Sequence, residues 1–441
     1  MSFWKIAWRS IEQRALASSL TGLSMALGVA LIILVLVIHN VFVGQLSNDA
    51  QGYDLIIGGG QGSRFEVVLS SVFHVGKPLV PFPYSFYKKF TDGGEFAPYV
   101  EAAVPICLGD SFQTDDGRQF RVVGTTPEYF TAIPYGIDDE GNEKQYKFRD
   151  GRNFRRENFY EAVLGSVAAN RSGMQVGDRF NPTHGISAGD TKHDAYEVVG
   201  ILESTGTSTD RAVFINMEGF YLGEGHAMPL PEGEQAPAED DAAADDGPRP
   251  LPESQREVTS ILVRSNPDLP TAAMYIEGKV TKGDDRVAQV VAPRPVVHQI
   301  TSKFLDPVRL VLLVLTVLIV VVAGISVLVS IYNSMSERAH DIAVMRALGA
   351  SRRAVMGVIL VESILLSLLG AAAGILLGHA VLAIASPVVE NYTGIAVRPW
   401  DFTWQELLLA PGLVAFASLV GLLPALTAYR TDVARTLGGA R

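Results

Sequence analysis

Cysteine is almost missing from this chain of 441 residues: Cys107 stands alone, so no internal disulfide can form, and a buried, inert thiol is the expectation. A nucleotide-binding signature is missing too. Gly58-Gly59-Gly60-Gln61-Gly62 lacks the Gly-Lys-Ser/Thr ending that a phosphate loop needs, and reads instead as a flexible turn. There is no His-Glu-x-x-His zinc motif, no Gly-x-Ser-x-Gly elbow and no paired Cys and His, so nothing supports an acyl-transfer centre or a catalytic zinc. A basic surface is lacking as well. The net charge of -11 speaks for solubility of the acidic part and against nucleic acid.

Charge is absent from long stretches, and those absences carry the architecture. About 20 apolar residues suffice to cross the hydrocarbon core as a helix. Ala17 to Val43, Leu310 to Tyr332, Ala354 to Ser386 and Leu407 to Tyr429 all qualify. The first is too long for a signal peptide and no cleavage pattern follows Val43, so a retained anchor is expected. Basic residues set the orientation. Lys5, Arg9 and Arg14 precede the first run, Arg338, Arg346, Arg352 and Arg353 lie between the second and third, and Arg430, Arg435 and Arg441 follow the fourth. The positive-inside rule puts all three groups in the cytoplasm, in a multi-pass membrane protein with both termini inside. The expected fold is thus a membrane protein of four transmembrane α-helices, one plus three, with a large α+β extracytoplasmic domain inserted after the first.

The divisions follow. Residues 1–14 form an amphipathic helix at the inner membrane surface, where Phe3, Trp4 and Ala7 recur at helical spacing. The spans are 15–43, 305–333, 353–386 and 405–430, and 431–441 is a cytoplasmic tail. The outer domain covers 44–304, large enough for its own hydrophobic core. Within it, Tyr53 to Ile57, Val100 to Leu108, Glu161 to Gly165 and Ser260 to Arg264 read as strands. Asp116-Gly117 reads as a hairpin turn between Phe112-Gln113-Thr114 and Gln119 to Val123. Ala195 to Leu202 and Ala212 to Ile215 look like neighbouring strands. Thr126-Pro127 opens a helix, and Pro270 to Glu277 is another. Residues 228–257 are dense in Pro, Glu, Asp and Ala, too poor in apolar surface to offset the entropy of ordering, and read as a disordered acidic insert. Near Gln299 a helical pattern begins that runs through Phe304 and Val308 into the second span. Between the third and fourth spans, 387–404 is a short outer loop whose Trp400, Phe402 and Trp404 fit an aromatic belt.

Residues 334–352 are a short charged segment tied at both ends to spans. Ser336 is a plausible N-cap, Glu337 suits the positive helix end, and Ile342, Met345 and Leu348 form one apolar ridge. Gly349 suits the position that ends the helix, and Ser351 can cap the next. Pattern alone leaves a membrane-surface linker equally open. The stretch Glu337-Arg338 … Asp341-Ile342-Ala343-Val344-Met345-Arg346-Ala347-Leu348-Gly349-Ala350-Ser351-Arg352-Arg353 resembles the signature of the MacB/FtsX-like permease family of ABC transporters, with its MacB, LolC/LolE and FtsX relatives. The resemblance continues through Val361 to Gly370, Gly374 and Gly378, and returns in Pro424 to Arg430. Val163-Leu164-Gly165-Ser166 and Val176 to Phe180 are similar to that family's outer domain.

The resemblance implies a permease subunit without an ATPase site of its own. Two permease chains, expected to be a homodimer, would pair in membrane lipid, each resting on a separate ABC ATPase that holds ATP and Mg. The chain itself would bind no cofactor and no metal. Glu337, Arg338, Asp341, Ile342, Met345, Arg346, Leu348 and Gly349 would contact the ATPase. Its closure would move the bundle and the outer domain, driving export or extraction of a lipoprotein, peptide, lipid or hydrophobic small molecule, with a periplasmic adaptor as a further partner. The alternative is an FtsX-like signalling or scaffold protein whose outer domain regulates an envelope hydrolase.

Three further features invite interpretation. Gly370, Gly374 and Gly378 form a small-residue stripe suited either to packing within one chain or to a dimer seam. Glu362 is an intramembrane acid, and a pairing with Arg352 or Arg353 near the inner interface is preferred over proton coupling. His184, Asp190, His193 and Asp194 could suggest a metal site, but their spacing fits no zinc pattern, and a solvated loop is favoured.

Overall fold

The computed structural model describes residues 3–114, 116–138, 140–184, 193–229, 248–282, 287–337, 346, 349–393, 397–398, 400, 402 and 404–430. The chain divides into two compact units. One comprises 42–303 with 388–396, the other 1–41, 304–387 and 397–441.

The first unit is built on a mixed sheet. Its strands are β1 (Leu55–Gly59), β2 (Phe82–Pro83), β3 (Val100–Gln113), β4 (Gln119–Thr125), β5 (Gly136–Ile137), β6 (Glu143–Lys144), β7 (Phe148–Gly151), β8 (Glu161–Leu164), β9 (Arg179–Phe180), β10 (Thr183–His184), β11 (Tyr196–Leu202), β12 (Val213–Asn216), β13 (Glu257–Val258), β14 (Ser260–Ser265) and β15 (Ala288–Val291). The main sheet runs β15-β1-β14-β3-β4-β12-β8-β11-β7, with β10 added to β3 and β9 to β11. β2 pairs with β13 and β5 with β6, apart from it. Both faces are covered. Leu55 and Ile57 of β1 enter one core with Cys107, Ile261 and Val263, while Ile56 enters the other with Val104, Ile106 and Leu262. Burial on both sides explains why 162–164 of β8 and 213–215 of β12 read as apolar runs rather than alternating ones.

β3 is the long strand on which the site described below depends. β14 pairs with its first half, from Val100 to Ile106, and β4 with its second, from Ile106 to Gln113. Beyond the end of β14, β10 takes over, setting Thr183 against Ser111 and His184 against Asp110. The β3–β4 turn is the Asp116-Gly117 hairpin, with Gly117 at φ 83.

Four expectations need correction. The strands ending in Leu202 and Ile215 are not neighbours, since β8 lies between β11 and β12. Pro127–Tyr129 is a single 3₁₀ turn. Gly58 and Gly59 are not a flexible turn but the buried end of β1, paired with β14 and β15. They are glycine because a Cβ on Gly58 would lie 2.8 Å from the Val67 side chain, and one on Gly59 would strike the Val80 carbonyl oxygen. Finally, the segment 228–257 is not disordered at its ends. Met228 N–H donates to Gln255 O at 2.9 Å, and Gln255 Nε2 donates to Met228 O at 3.0 Å. Arg256 is buried, bonds Glu218 at 3.0 Å and lies over the rings of Tyr84 and Tyr221. Residues 230–247, the acidic centre of that call, lie outside the described residues.

The second unit is helical. After the amphipathic helix Phe3–Gln13 come four helices long and apolar enough to cross a membrane. The first span helix is Ala15–Asp49, the second Asp306–Glu337, the third Arg352–Thr393 and the fourth Trp404–Arg430. In the chain the second follows helix Pro293–Ile300 and a π turn at Thr301–Leu305. Small residues mark where the helices meet. Gly28 faces Val320, Gly324 faces Phe416, and Gly421 faces Ser363, which joins first to second, second to fourth and third to fourth.

Candidate functional site

The segment between the second and third spans is described at its edges. Glu337 is the last residue of the second span helix. Arg338, Asp341, Ile342, Met345 and Leu348 lie outside the described residues. Arg346 is helical and half-buried. Gly349 sits at φ 101, a left-handed conformation that glycine adopts freely, and its N–H donates to Arg346 O at 3.1 Å. Ser351 Oγ then accepts from Ala354 N–H at 3.2 Å, capping the third span helix.

The glycine stripe of the third span lies against the first span of the same chain. A Cβ on Gly370 would be 3.0 Å from Met25 Cβ and 3.2 Å from Gly22 O. On Gly374 it would be 2.6 Å from both Ala26 O and Val29 Cβ, and on Gly378 3.2 Å from Ile33 Cβ and 3.4 Å from Ala30 Cα. Gly22, Ala26 and Ala30 are themselves spaced by four, so two small-residue stripes face each other and the backbones close on contact. Within this chain the stripe therefore serves the packing of the third span on the first.

Two polar features are enclosed in this unit. Glu362 is 8% exposed, whereas Arg352 and Arg353 are exposed. Near the other end of the third span, His379 Nε2 and Glu406 Oε2 of the fourth are 3.0 Å apart, with side chains 1% and 4% exposed. Trp400 stacks on the His379 ring at 5.9 Å and Phe402 tilts against it at 4.5 Å, while their outer faces are exposed, as are those of Trp404.

The outer unit holds a second polar cluster, where the expected solvated loop gives way to something built. His193 is buried, not solvated. Its N–H donates to Pro182 O and its carbonyl accepts from Asn181 Nδ2, which fixes it ahead of β11. Asp110 Oδ1, on β3, lies 3.4 Å from His184 Nδ1, 3.5 Å from His193 Nε2 and 3.0 Å from His226 Nε2. The two buried imidazoles approach each other to 3.3 Å between their Nε2 atoms. His226 follows the helix Met217–Leu222, and its ring packs on Phe220 at 4.0 Å. Asp194 points elsewhere and accepts from the Tyr160 hydroxyl at 3.0 Å. Asp190 lies outside the described residues. Sequence reasoning therefore found His184 and His193 but not Asp110 or His226. The available signal was that three of the chain's eight histidines fall between 184 and 226; Asp110 joins them only through β-sheet register.

Comparison with known proteins bears on both units. A family model described as the MacB-like periplasmic core domain matches residues 18–277, and one described as the FtsX-like permease C-terminal matches 313–433. An uncharacterized ABC transporter permease of Methanocaldococcus jannaschii is 24% identical over 328 residues, 70% of each chain. The uncharacterized ABC transporter permease YknZ of Bacillus subtilis is 33% identical over 130 residues, which are 27% of this chain and 30% of that one. The macrolide export ATP-binding/permease protein MacB of Photorhabdus laumondii is 30% identical over 134 residues, 30% of this chain and 20% of its own. Among solved structures, the extracellular domain of YknZ aligns with 54% of this chain and 98% of its own at 11% identity and a TM-score of 0.30. With the periplasmic core model matching more than half of the residues and the permease model most of the remainder, the chain belongs to the MacB/FtsX-like family of ABC transporter permeases.

Proposed function

We propose that this chain is the membrane subunit of a transporter that passes motion from a separate ATPase, through segment 337–349 and the span helices, to its outer domain. ATP and Mg belong to the partner. The permease works with a second permease chain, and the outer domain acts on a lipoprotein, peptide, lipid or hydrophobic small molecule with or without an adaptor protein. The observation that carries the reading is the capped entry to the third span. Gly349 closes a helical turn on Arg346, and Ser351 starts the next helix two residues later. A third span helix capped at its first residues can take up a push at that end rather than fray under it. Family membership supports the presence of an ATPase partner.

The test is ATP hydrolysis by the reconstituted complex of this chain with its ATPase. Arg346→Glu reverses a charge in the proposed contact, and Met345→Asp places a carboxylate on its apolar ridge. Each should lower permease-dependent stimulation by roughly tenfold, the equivalent of about 1.4 kcal/mol of coupling, while membrane levels stay unchanged. Undiminished stimulation in both variants overturns the proposal.

A further inference from the structure

We propose that Asp110, His184, His193 and His226 form a binding site for a divalent transition metal of the zinc class. The four residues come from β3, β10, the approach to β11 and the turn after helix Met217–Leu222, and one donor atom from each lies within 4.8 Å of every other. An ion bonded at about 2.0–2.1 Å to four tetrahedral donors sets donor-to-donor edges of about 3.3–3.4 Å. Four of the six separations, at 3.0, 3.3, 3.4 and 3.5 Å, lie around that edge, and the two between His184 and the other imidazoles are within 4.8 Å.

Hydrogen bonding among the four is the competing account: His226 Nε2 and His193 Nε2 are paired at 3.3 Å, but that pairing does not satisfy Asp110 Oδ1. Asp110 Oδ1 has three imidazole nitrogens within 3.5 Å, yet it is buried without one well-directed hydrogen bond. A buried carboxylate oxygen left in that condition is costly unless another charge satisfies it. A cation at the common focus does so. Three imidazoles and one carboxylate select zinc and its neighbours, cobalt, nickel and copper, over magnesium or calcium, which take oxygen ligands.

The surroundings are shaped for the approach of the rings. A Cβ on Gly223 would lie 2.8 Å from His226 Cδ2 and 3.0 Å from His193 Nδ1, so a larger residue would push both away. Phe220 holds the His226 ring in place. Asp110, His193 and His226 side chains are 2–6% exposed, while that of His184 is 50% exposed and leaves a way in for the ion. An ion there would staple β3 to β10 and to the base of the segment leading into residues 230–247. The site does not depend on the ATPase reading above.

The experiment uses the full chain in detergent, purified with a histidine-free tag and stripped with EDTA. Titration calorimetry with Zn²⁺ should give one ion per chain, and Co²⁺ in its place should show the visible absorption of a tetrahedral nitrogen–oxygen site. At free zinc about a hundredfold above Kd, the thermal midpoint should rise by roughly 5–10 °C. His184→Ala changes an exposed side chain and should fold normally. It should weaken zinc by roughly a hundredfold or more, since even a partner standing behind a ligand is worth about 10–100-fold. Asp110→Asn and the pair His193→Ala with His226→Ala should abolish the cobalt spectrum, and His298→Ala should leave it intact. Failure of the parent chain to bind one zinc, or equal affinity in His184→Ala and the parent, overturns the proposal.

Discussion

His74 is the non-glycine residue, among those described, whose backbone is left-handed, at φ 55. Its ring meets the edge of Phe214 at 6.3 Å, and its Nδ1 is shielded from solvent without a hydrogen-bond partner. Burial first, then the charges of Arg121 and Arg211, push its pKa down to about 3. The unfolded chain takes up a proton near 6.5 and the folded one does not. His74 therefore contributes stability that is whole above pH 6.5 and drains away as pH falls toward 3. By pH 5.5 the loss is about 1 kcal/mol. His74→Asn keeps a side chain that tolerates the left-handed region and removes the titration. The fall in thermal midpoint between pH 7 and 5.5 should be smaller in that variant than in the parent, and an equal fall would mean that the imidazole is not responsible. Cys107 illustrates the same force acting on a thiol. It is 1% exposed beside Tyr221 and the Glu257 carbonyl, and burial pushes its pKa up to about 12, which leaves it a packing residue with little thiolate at neutral pH.

Helices and strands differ in how much of their environment is local. Each span was legible because length and hydropathy are properties of one segment. The Asp116-Gly117 hairpin was legible for the same reason, its partners being adjacent in sequence. The insertion of β8 between β11 and β12 was not, because a strand's neighbours are chosen by contacts far along the chain. Gly58 and Gly59 were misread as a turn, since a glycine that admits a neighbouring side chain looks like one that bends the backbone. The third-span stripe could be read as a packing surface, but its partner could not. With the first span now facing it, the effect of crowding is calculable. Gly374→Ala sets a methyl 2.6 Å from Val29 Cβ and should destabilise by about 1–3 kcal/mol, lowering the thermal midpoint in detergent. Gly357→Ala, on the same helix with nothing within 4 Å, should be neutral or slightly stabilising. Equal midpoints for the two variants would contradict the pairing of the first and third helices.

At the scale of the whole chain, the division into one membrane-spanning part and one inserted outer part was legible in the sequence, whereas the histidine cluster was not. Asp110 and His226 lie 116 positions apart in sequence, and the helix Met217–Leu222 must dock on β3 and β4 before they meet. The acidic insert was drawn too wide, because Leu251 and Arg256 lie among Pro and Glu and yet pack into the fold. The mutual bonds of Met228 and Gln255 close the insert at its base. Replacing 230–247 with a short Gly/Ser linker should leave the thermal midpoint within about 2 °C, because loop length contributes only weakly to stability; a larger drop would show that the acidic residues support the core. The opposed stripes of the first and third spans have a final consequence. At Gly374 there is not room for one added methyl group, so the seam between these two rods is sealed along its length and offers no lumen.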